Sequence, residues 1–151
     1  MIRAVDSKSL PVWLDFVEMV WQSKRSDLQT EFLAGHFPNE FLYYNQEQEA
    51  VAWISLSLRN EYVEGARTLP VAYLEGIAVK PAYRQQGIAH QLLDFAKEWA
   101  RHSGAYQLAS DASLENHLSQ VVHNCLGFRE VSRSVHYIQD LTKKVNESTQ
   151  V

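Results

Sequence analysis

The feature that most constrains the fold is a predicted strand, a tight turn and a helix start that follow one another within residues 71–102. The apolar run Val71–Val79 predicts a central strand, and Gly87–His102 predicts a long amphipathic helix. The turn Arg84–Ala89 contains Gly87, which has no Cβ to keep a ligand away from the backbone. The first N–H groups of a helix lack intrahelical partners and carry partial positive charge. This layout therefore predicts a site that can hold a phosphate at the start of the helix.

Helices and strands interleave along the rest of the chain. Apolar residues recur at helical spacing over Leu10–Trp21, and Ser26–Gln29 predicts a capping box for a second helix that stops near Gly35. The other predicted elements are the strands Ile2–Val5, Phe41–Tyr44, Val51–Leu58 and Tyr106–Ser110, the helix Leu114–Leu126 and a mostly extended stretch at Phe128–Leu141. This order predicts an α+β fold with mixed α/β layers, forming one domain over residues 1–142 with a polar tail at 143–151.

Composition limits the class of protein. A chain of 151 residues with 46% hydrophobic residues suits one domain with its own core. No apolar run approaches the roughly 20 residues that span a bilayer, and Asp6 and Lys8 interrupt any signal-peptide pattern, so we expect a cytoplasmic protein without a membrane partner. The single cysteine, Cys125, lies in an apolar helical pattern and predicts a buried structural thiol rather than a nucleophile. No spaced Cys/His cluster indicates a metal site.

The net charge bears on the partners. A formal charge of −4 disfavours nucleic acid as a partner, because binding the phosphate backbone needs a basic surface. The same charge permits a cationic substrate, although many soluble proteins are this acidic for solubility alone.

The turn resembles the acyl-CoA pyrophosphate loop of the GCN5-related N-acetyltransferases, whose pattern is Q/R-x-x-G-x-G/A. Arg84, Gly87 and Ala89 occupy its fixed positions. The preceding run Val79–Arg84 and the later Leu126–Phe128 are also typical of this family. The resemblance implies that family's fold, a central and mostly antiparallel sheet whose central strands splay apart and are flanked by helices. It also implies acetyl-CoA as cosubstrate, with no metal.

The family resemblance further implies where acetyl-CoA lies. In the family, the pantetheine arm enters the gap between the splayed strands and pairs with strand backbone, here that of Ile77, Ala78 and Val79. Asn116 lies where many members use an asparagine to hydrogen-bond the same arm, and the alternative is a solvent-facing residue at a helix start. The N–H groups of six successive residues would hold the pyrophosphate: Gln85, Gln86, Gly87, Ile88, Ala89 and His90.

Two carboxylates suit acetyl transfer to an amine, which requires loss of an amine proton and polarisation of the thioester carbonyl. Glu75 lies in the apolar central strand, where an isolated charge is costly unless it meets a cation or water. We interpret it as a direct or water-mediated base, and the alternative is a carboxylate that faces solvent or pairs with a structural arginine. Asp111 follows the next strand and would face the same gap, so that the pair attracts a polycation. The alternative for Asp111 is an N-cap of the helix near Leu114, and both roles are compatible.

His123 departs from the broad family, in which many members carry a tyrosine that donates a proton to the leaving thiolate. A protonated His123 would serve as that donor, whereas the alternatives are a structural histidine and a thiolate that needs no protein acid.

A narrower resemblance concerns the acceptor. The segments Glu61–Gly65, Leu74–Val79, Ala109–Asn116 and His123–Phe128 resemble the bacterial aminoglycoside 6′-N-acetyltransferases, which share the histidine at position 123. This implies acetylation of the drug's 6′-amine, which removes a cation that the drug uses on ribosomal RNA. The residues implied to contact the antibiotic are Trp21, Tyr62, Glu75, Asp111 and Glu130.

The resemblance also implies a homodimer, with C-terminal strands at the interface. Val135–Ile138 is the candidate edge, and an ordinary sheet strand is the alternative. Two other functions stay open: acetylation of another amine, such as a polyamine, amino acid or protein N-terminus, and a CoA-binding sensor or interaction module without catalysis.

Overall fold

A single sheet organises the chain, whose computed structural model describes residues 1–143. The strands are β1 (Ile2–Ala4), β2 (Glu40–Tyr44), β3 (Ala50–Arg59), β4 (Val71–Val79) and β5 (Leu108–Ser110). The helices are α1 (Leu10–Trp21), α2 (Arg25–Leu33), α3 (Ile88–His102) and α4 (His117–Cys125). The strand order is β1-β2-β3-β4-β5, with antiparallel pairing from β1 to β4 and parallel pairing between β4 and β5. The predicted α+β fold is therefore confirmed.

The core lies on both faces of the sheet. Leu92 and Leu93 of α3 pack with Ile54 and its neighbours, whereas Trp13 and Val17 of α1 pack with Trp53. Because successive strand residues point to opposite faces, β3 must be apolar at nearly every position to serve both layers. This explains its continuous apolar run and the complete burial of Trp53 and Ile54.

A bulge interrupts β4 at the residue of most chemical interest. The register passes from Leu56 opposite Leu74 to Ser55 opposite Gly76, which leaves Glu75 without a partner in β3. A β-bulge re-aims the side chain of its extra residue. The strand therefore presents Glu75 differently from its apolar neighbours.

Two predicted helix starts are wrong. The second helix begins at Arg25 with Lys24 as its N-cap and no side-chain cap, so Ser26 lies inside the helix and forms no capping box. The last helix begins at His117 rather than Leu114, because a turn comes first, with the Asn116 N–H donating to the Ser113 carbonyl at 3.0 Å. Asn116 is its N-cap and accepts a hydrogen bond from the Ser119 N–H at 3.1 Å, so Asp111 does not cap it.

The prediction that Cys125 is a buried thiol is also wrong, because this residue is exposed. Other apolar residues of α4 are exposed as well, with Leu118 at 74% and Val121 at 56%. No helix or strand forms over residues 128–143 to cover them. The candidate strand Val135–Ile138 is therefore not part of this sheet. Residues 144–151 of the predicted polar tail lie outside the described residues, and none of the helices within residues 1–143 is long and apolar enough to cross a membrane.

Candidate active site

A gap opens in the middle of the sheet between β4 and β5. The two strands pair only from Ala72 to Leu74 and from Leu108 to Ser110, although β4 continues to Val79. At the fork, the Ser110 hydroxyl donates to the Leu74 carbonyl at 3.0 Å. Beyond it, β4 pairs with β3 on one side only, so alternate backbone groups face the gap without a strand partner in residues 1–143. The residues predicted to hold pantetheine lie along this gap: Ile77, Ala78 and Val79.

The predicted phosphate loop follows β4 directly, after a short 3₁₀ turn at Pro81–Tyr83. Gln85 and Gly87 both have left-handed backbone conformations, with φ of 61° and 80°, and α3 begins at Ile88. A Cβ on Gly87 would meet no atom within 4 Å, so its backbone angle, rather than space, favours glycine here. The unpaired N–H groups at the helix start line a cavity formed by Val79, Tyr83, Arg84, Gln85, Gly87, Ile88, Ala89 and His90. This geometry suits an anion.

Arg84 ties this loop to the strand before it. Its Nε donates to the Val79 carbonyl at 2.9 Å. The arginine at the first fixed position of the loop pattern therefore has a structural role, which is to hold the loop against the end of β4.

Glu75 meets two donors from the neighbouring strand. Its Oε1 accepts from the Ser57 hydroxyl at 2.7 Å and from Arg59 Nη2 at 2.8 Å. Its other oxygen, Oε2, accepts no hydrogen bond from residues 1–143, and 30% of the side chain is exposed. The predicted alternative, in which Glu75 pairs with an arginine, is therefore confirmed. Its Oε2 nevertheless remains available to accept a hydrogen bond from a substrate amine.

Asp111 belongs to the same cluster. It accepts a short hydrogen bond from the Tyr73 hydroxyl. Burial and the bond to Asp111 raise the pKa of the Tyr73 phenol, which keeps it protonated as a donor. The Arg59 guanidinium carbon lies 3.4 Å from the centroid of the Tyr73 ring. Ser57, Arg59, Tyr73, Glu75 and Asp111 thus form one connected group, here called the acceptor cluster.

Aromatic rings lie beside this cluster. The Trp21 ring stacks on Phe37 with centroids 5.6 Å apart and meets the edge of Trp53 at 5.3 Å. A Cβ on Gly76 would overlap the Trp53 ring and lie 3.4 Å from Trp21 Nε1. Glycine after Glu75 therefore lets both indoles approach the backbone of β4. This places the predicted substrate residue Trp21 next to the acceptor cluster.

A buried carboxylate, that of Glu40, binds the indoles of Trp53 and Trp13. Glu40 is 3% exposed and accepts from Trp13 Nε1 at 2.7 Å, Trp53 Nε1 at 3.0 Å and the Ser55 hydroxyl at 2.5 Å. Desolvation raises the pKa of Glu40 to about 7. Sequence reasoning missed this residue, although the signal used for Glu75, a lone acid beside an apolar strand, applies to it equally.

His123 is held at both ring nitrogens. Nδ1 lies 2.7 Å from the Ser119 carbonyl and 3.3 Å from the Ser119 hydroxyl, and Nε2 lies 2.8 Å from the Ser110 hydroxyl. Because that hydroxyl also bonds the Leu74 carbonyl, His123 reaches the fork of the gap through Ser110. These contacts fit a structural histidine and leave its catalytic role a prediction.

Three further predicted residues stand apart from the acceptor cluster. Tyr62 is 78% exposed and bonds Glu64 at 3.1 Å, and Glu130 pairs with Arg133. Neither hydrogen-bonds to a cluster member, although Val131 packs closely over Gly65 in the loop that contains Tyr62. Asn116 uses Oδ1 to cap α4. Their predicted roles toward substrate and CoA stay predictions.

Comparison with known proteins agrees with this geometry. Residues 9–128 match the acetyltransferase (GNAT) family. An aminoglycoside N(6′)-acetyltransferase type 1 of Acinetobacter genomosp. 13 is 37% identical over 145 residues, which are 90% of this chain and 95% of the relative.

Solved structures extend this similarity to three dimensions. The crystal structure of the aminoglycoside antibiotic 6′-N-acetyltransferase AAC(6′)-Ih from Acinetobacter baumannii aligns with a TM-score of 0.85 and 33% identity, over 94% of this chain and 99% of that one. AAC(6′)-Iy in complex with the bisubstrate analog CoA-S-monomethyl-acetylneamine aligns with a TM-score of 0.79 and 31% identity, over 93% and 98%.

Proposed function

Because the chain belongs to the acetyltransferase (GNAT) family, we propose that it transfers the acetyl group of acetyl-CoA to the 6′-amine of aminoglycoside antibiotics. The observation that carries this proposal is the position of the acceptor cluster, where Glu75 and Asp111 lie beside the gap between β4 and β5. A polycation suits this cluster, because its two carboxylates outnumber its one guanidinium. Similarity to aminoglycoside enzymes over about nine tenths of the chain supports the acceptor class.

The described residues fit acetyl-CoA in two places. The unpaired backbone along β4 suits the amide groups of pantetheine, and the N–H groups from Gln85 to His90 suit the pyrophosphate. When bound, acetyl-CoA supplies the thioester carbonyl that the amine attacks.

A side chain of the protein accepts a proton from the acceptor amine. Glu75 accepts a proton from the acceptor ammonium, directly or through one water, so that the free amine attacks the thioester carbon. The new C–N bond forms as the C–S bond breaks, CoA leaves as a thiolate, and the second proton that the nitrogen must lose passes to that thiolate or to water. Ser110 lies at the fork beside His123, and its hydroxyl would hydrogen-bond that sulfur by giving up its bond to the Leu74 carbonyl. No covalent acetyl-enzyme is required.

The proposal is tested by thiol release from acetyl-CoA with tobramycin or kanamycin, beside spermidine and a blank. Release with the aminoglycosides, and a product heavier by one acetyl group, is the expected result. Release with spermidine alone would keep the acetyltransferase chemistry but reject the acceptor. If the protein binds acetyl-CoA but releases no thiol with any amine, a CoA-binding sensor module would be favoured.

We also propose that the chain acts as a homodimer. Tyr137, Ile138 and Leu141 are 92%, 94% and 86% exposed, as is much of the apolar side of α4. Apolar surface of this extent on a soluble protein is typical of an interface. β5 is an edge strand of the described sheet, and the segment 128–143 of a second copy, which forms no helix or strand of its own, could pair with its free side. Light scattering should give a dimer for the wild type and a monomer for Ile138→Asp, and a monomeric wild type would contradict the proposal.

A further inference from the structure

A positive charge already occupies the acceptor cluster. Arg59 ends β3, and its Nη2 lies 2.8 Å from Glu75 Oε1. Its guanidinium carbon lies over the ring of Tyr73, whose hydroxyl bonds Asp111. The guanidinium is therefore placed among the groups that the proposed function assigns to the substrate ammonium.

This guanidinium is loosely held. A guanidinium has five N–H donors, and only the one that bonds Glu75 finds a hydrogen-bond partner in residues 1–143. The side chain is 41% exposed, so its remaining donors face water. An ion pair this exposed adds little stability, and a competing cation can open it.

We propose that Arg59 is a positioning residue, which holds Glu75 in the resting protein and competes for it with the acceptor's ammonium group. The inference rests on the proposed function and deepens it. An ammonium group that displaces Arg59 exchanges one positive charge for another at Glu75, so the displacement weakens acceptor binding. The cost is the same for a monoamine and a polyamine, because each must free the same carboxylate oxygen. A polyamine offsets this cost through a second ammonium group at Asp111.

The direction of the effect follows from the charges. Removing Arg59 leaves two carboxylates without a competing cation, so amines should bind more tightly. The gain should be at least as large for a polyamine as for a monoamine, because the lost guanidinium also stops repelling the other ammonium groups. A lysine at this position keeps the competing charge and should preserve the competition.

The test compares KM and kcat of the wild type, Arg59→Gln and Arg59→Lys for tobramycin and for the monoamine 6-amino-6-deoxyglucose. Arg101→Gln is the control, because Arg101 also pairs with one glutamate but lies on the exposed side of α3. For Arg59→Gln, KM for the monoamine should fall about threefold to tenfold, the size expected when one charge a few ångström away is removed at a hydrated site. KM for tobramycin should fall at least as much, kcat should change less than KM, and Arg59→Lys and Arg101→Gln should resemble the wild type.

Two outcomes overturn the inference: a higher KM for Arg59→Gln, which would make the guanidinium part of the acceptor-binding surface, and equal values for Arg59→Gln and Arg101→Gln. Failure of the proposed function is a separate result, namely no turnover of tobramycin by the wild type. In that case, calorimetry of tobramycin binding tests whether Arg59 competes with the amine for Glu75. Tighter binding to Arg59→Gln than to Arg59→Lys supports the inference, and equal or weaker binding contradicts it. Thermal unfolding verifies that each variant is folded.

Discussion

The cofactor side and the acceptor side of the gap between β4 and β5 consist of different kinds of groups. The cofactor side uses backbone: unpaired groups along β4, a loop with left-handed residues, and the first N–H groups of α3. The acceptor side uses side chains from separate strands, with Ser57, Arg59, Tyr73, Glu75 and Asp111 joined by hydrogen bonds and a cation–π contact. Backbone geometry suits a cosubstrate that never varies. A side-chain cluster suits an acceptor whose charge pattern must be recognised.

Because the two sides differ in this way, side-chain changes on the acceptor side should leave acetyl-CoA binding intact. Backbone changes on the cofactor side should weaken acetyl-CoA binding more than acceptor binding. Four predictions test this division, from the largest expected effect to the smallest.

Glu75→Gln should lower kcat by at least about 100-fold, because the amine loses its proton acceptor while the shape of the site is kept. Acetyl-CoA affinity, measured by calorimetry, should stay within about twofold of the wild type, since Glu75 only borders the cofactor side. Glu98→Gln, on the exposed surface of α3, is the matched control. Normal turnover by Glu75→Gln would break the assignment of the acceptor side.

Glu40 should make the stability of the acceptor side depend on pH. Its folded pKa of about 7 lies above the ordinary value of 4.5, so the native state binds more protons than the unfolded state between these values. This contribution is present below pH 4.5 and is lost as pH rises through 7. Between pH 5 and 7 the free energy of unfolding should fall by about 2 kcal/mol on account of this residue.

Chemical denaturation of the wild type and Glu40→Gln over that range measures this contribution. The glutamine can still accept from the indoles and donate to Ser55, so the variant should fold and show a flatter pH profile. Parallel profiles for the two proteins would contradict the raised pKa of Glu40.

Asp111→Asn should raise KM for tobramycin about tenfold, the effect of losing one partly desolvated charge interaction with a polycation. The asparagine oxygen can still accept from Tyr73, so the change removes charge rather than position. Asp15→Asn is the control, because Asp15 of α1 is an exposed acid that pairs with Arg25 of α2 and belongs to neither side of the gap. An unchanged KM would remove Asp111 from the acceptor side.

Gly87→Ala should raise KM for acetyl-CoA about fivefold, because a Cβ at φ 80° costs on the order of 1 kcal/mol and shifts the loop. Gly35→Ala places the same strain at φ 82° with equal free space and serves as the matched control. KM for tobramycin should be nearly unchanged in both. A larger effect on tobramycin than on acetyl-CoA would contradict the division between the two sides.

The cofactor side could be predicted from sequence because it is local. β4 was predicted at its observed bounds, and the loop and α3 follow it directly, so one continuous stretch contains the whole pattern. The start and end of α1 were predicted equally well, since its apolar spacing faces the core.

The acceptor side was only half predictable, because its members meet across strands. Glu75 and Asp111 stood out as acids in or after apolar strands, but Ser57 and Arg59 become relevant only through the pairing of β3 with β4. The sequence does not distinguish Tyr73 from a core residue, and its role follows only from the hydrogen bond between its hydroxyl and Asp111 in the fold. Cys125 was wrongly expected to be buried, because helical periodicity shows which residues share a face but not what covers that face.

The most direct test of the central claim is the identity of the acetylated nitrogen. Wild-type protein with acetyl-CoA and tobramycin should give one product whose NMR spectrum shows the acetyl group on the 6′-nitrogen, and Glu75→Gln should give almost none. Acetylation at another amine, or equal product from both proteins, would contradict the account of the acceptor side.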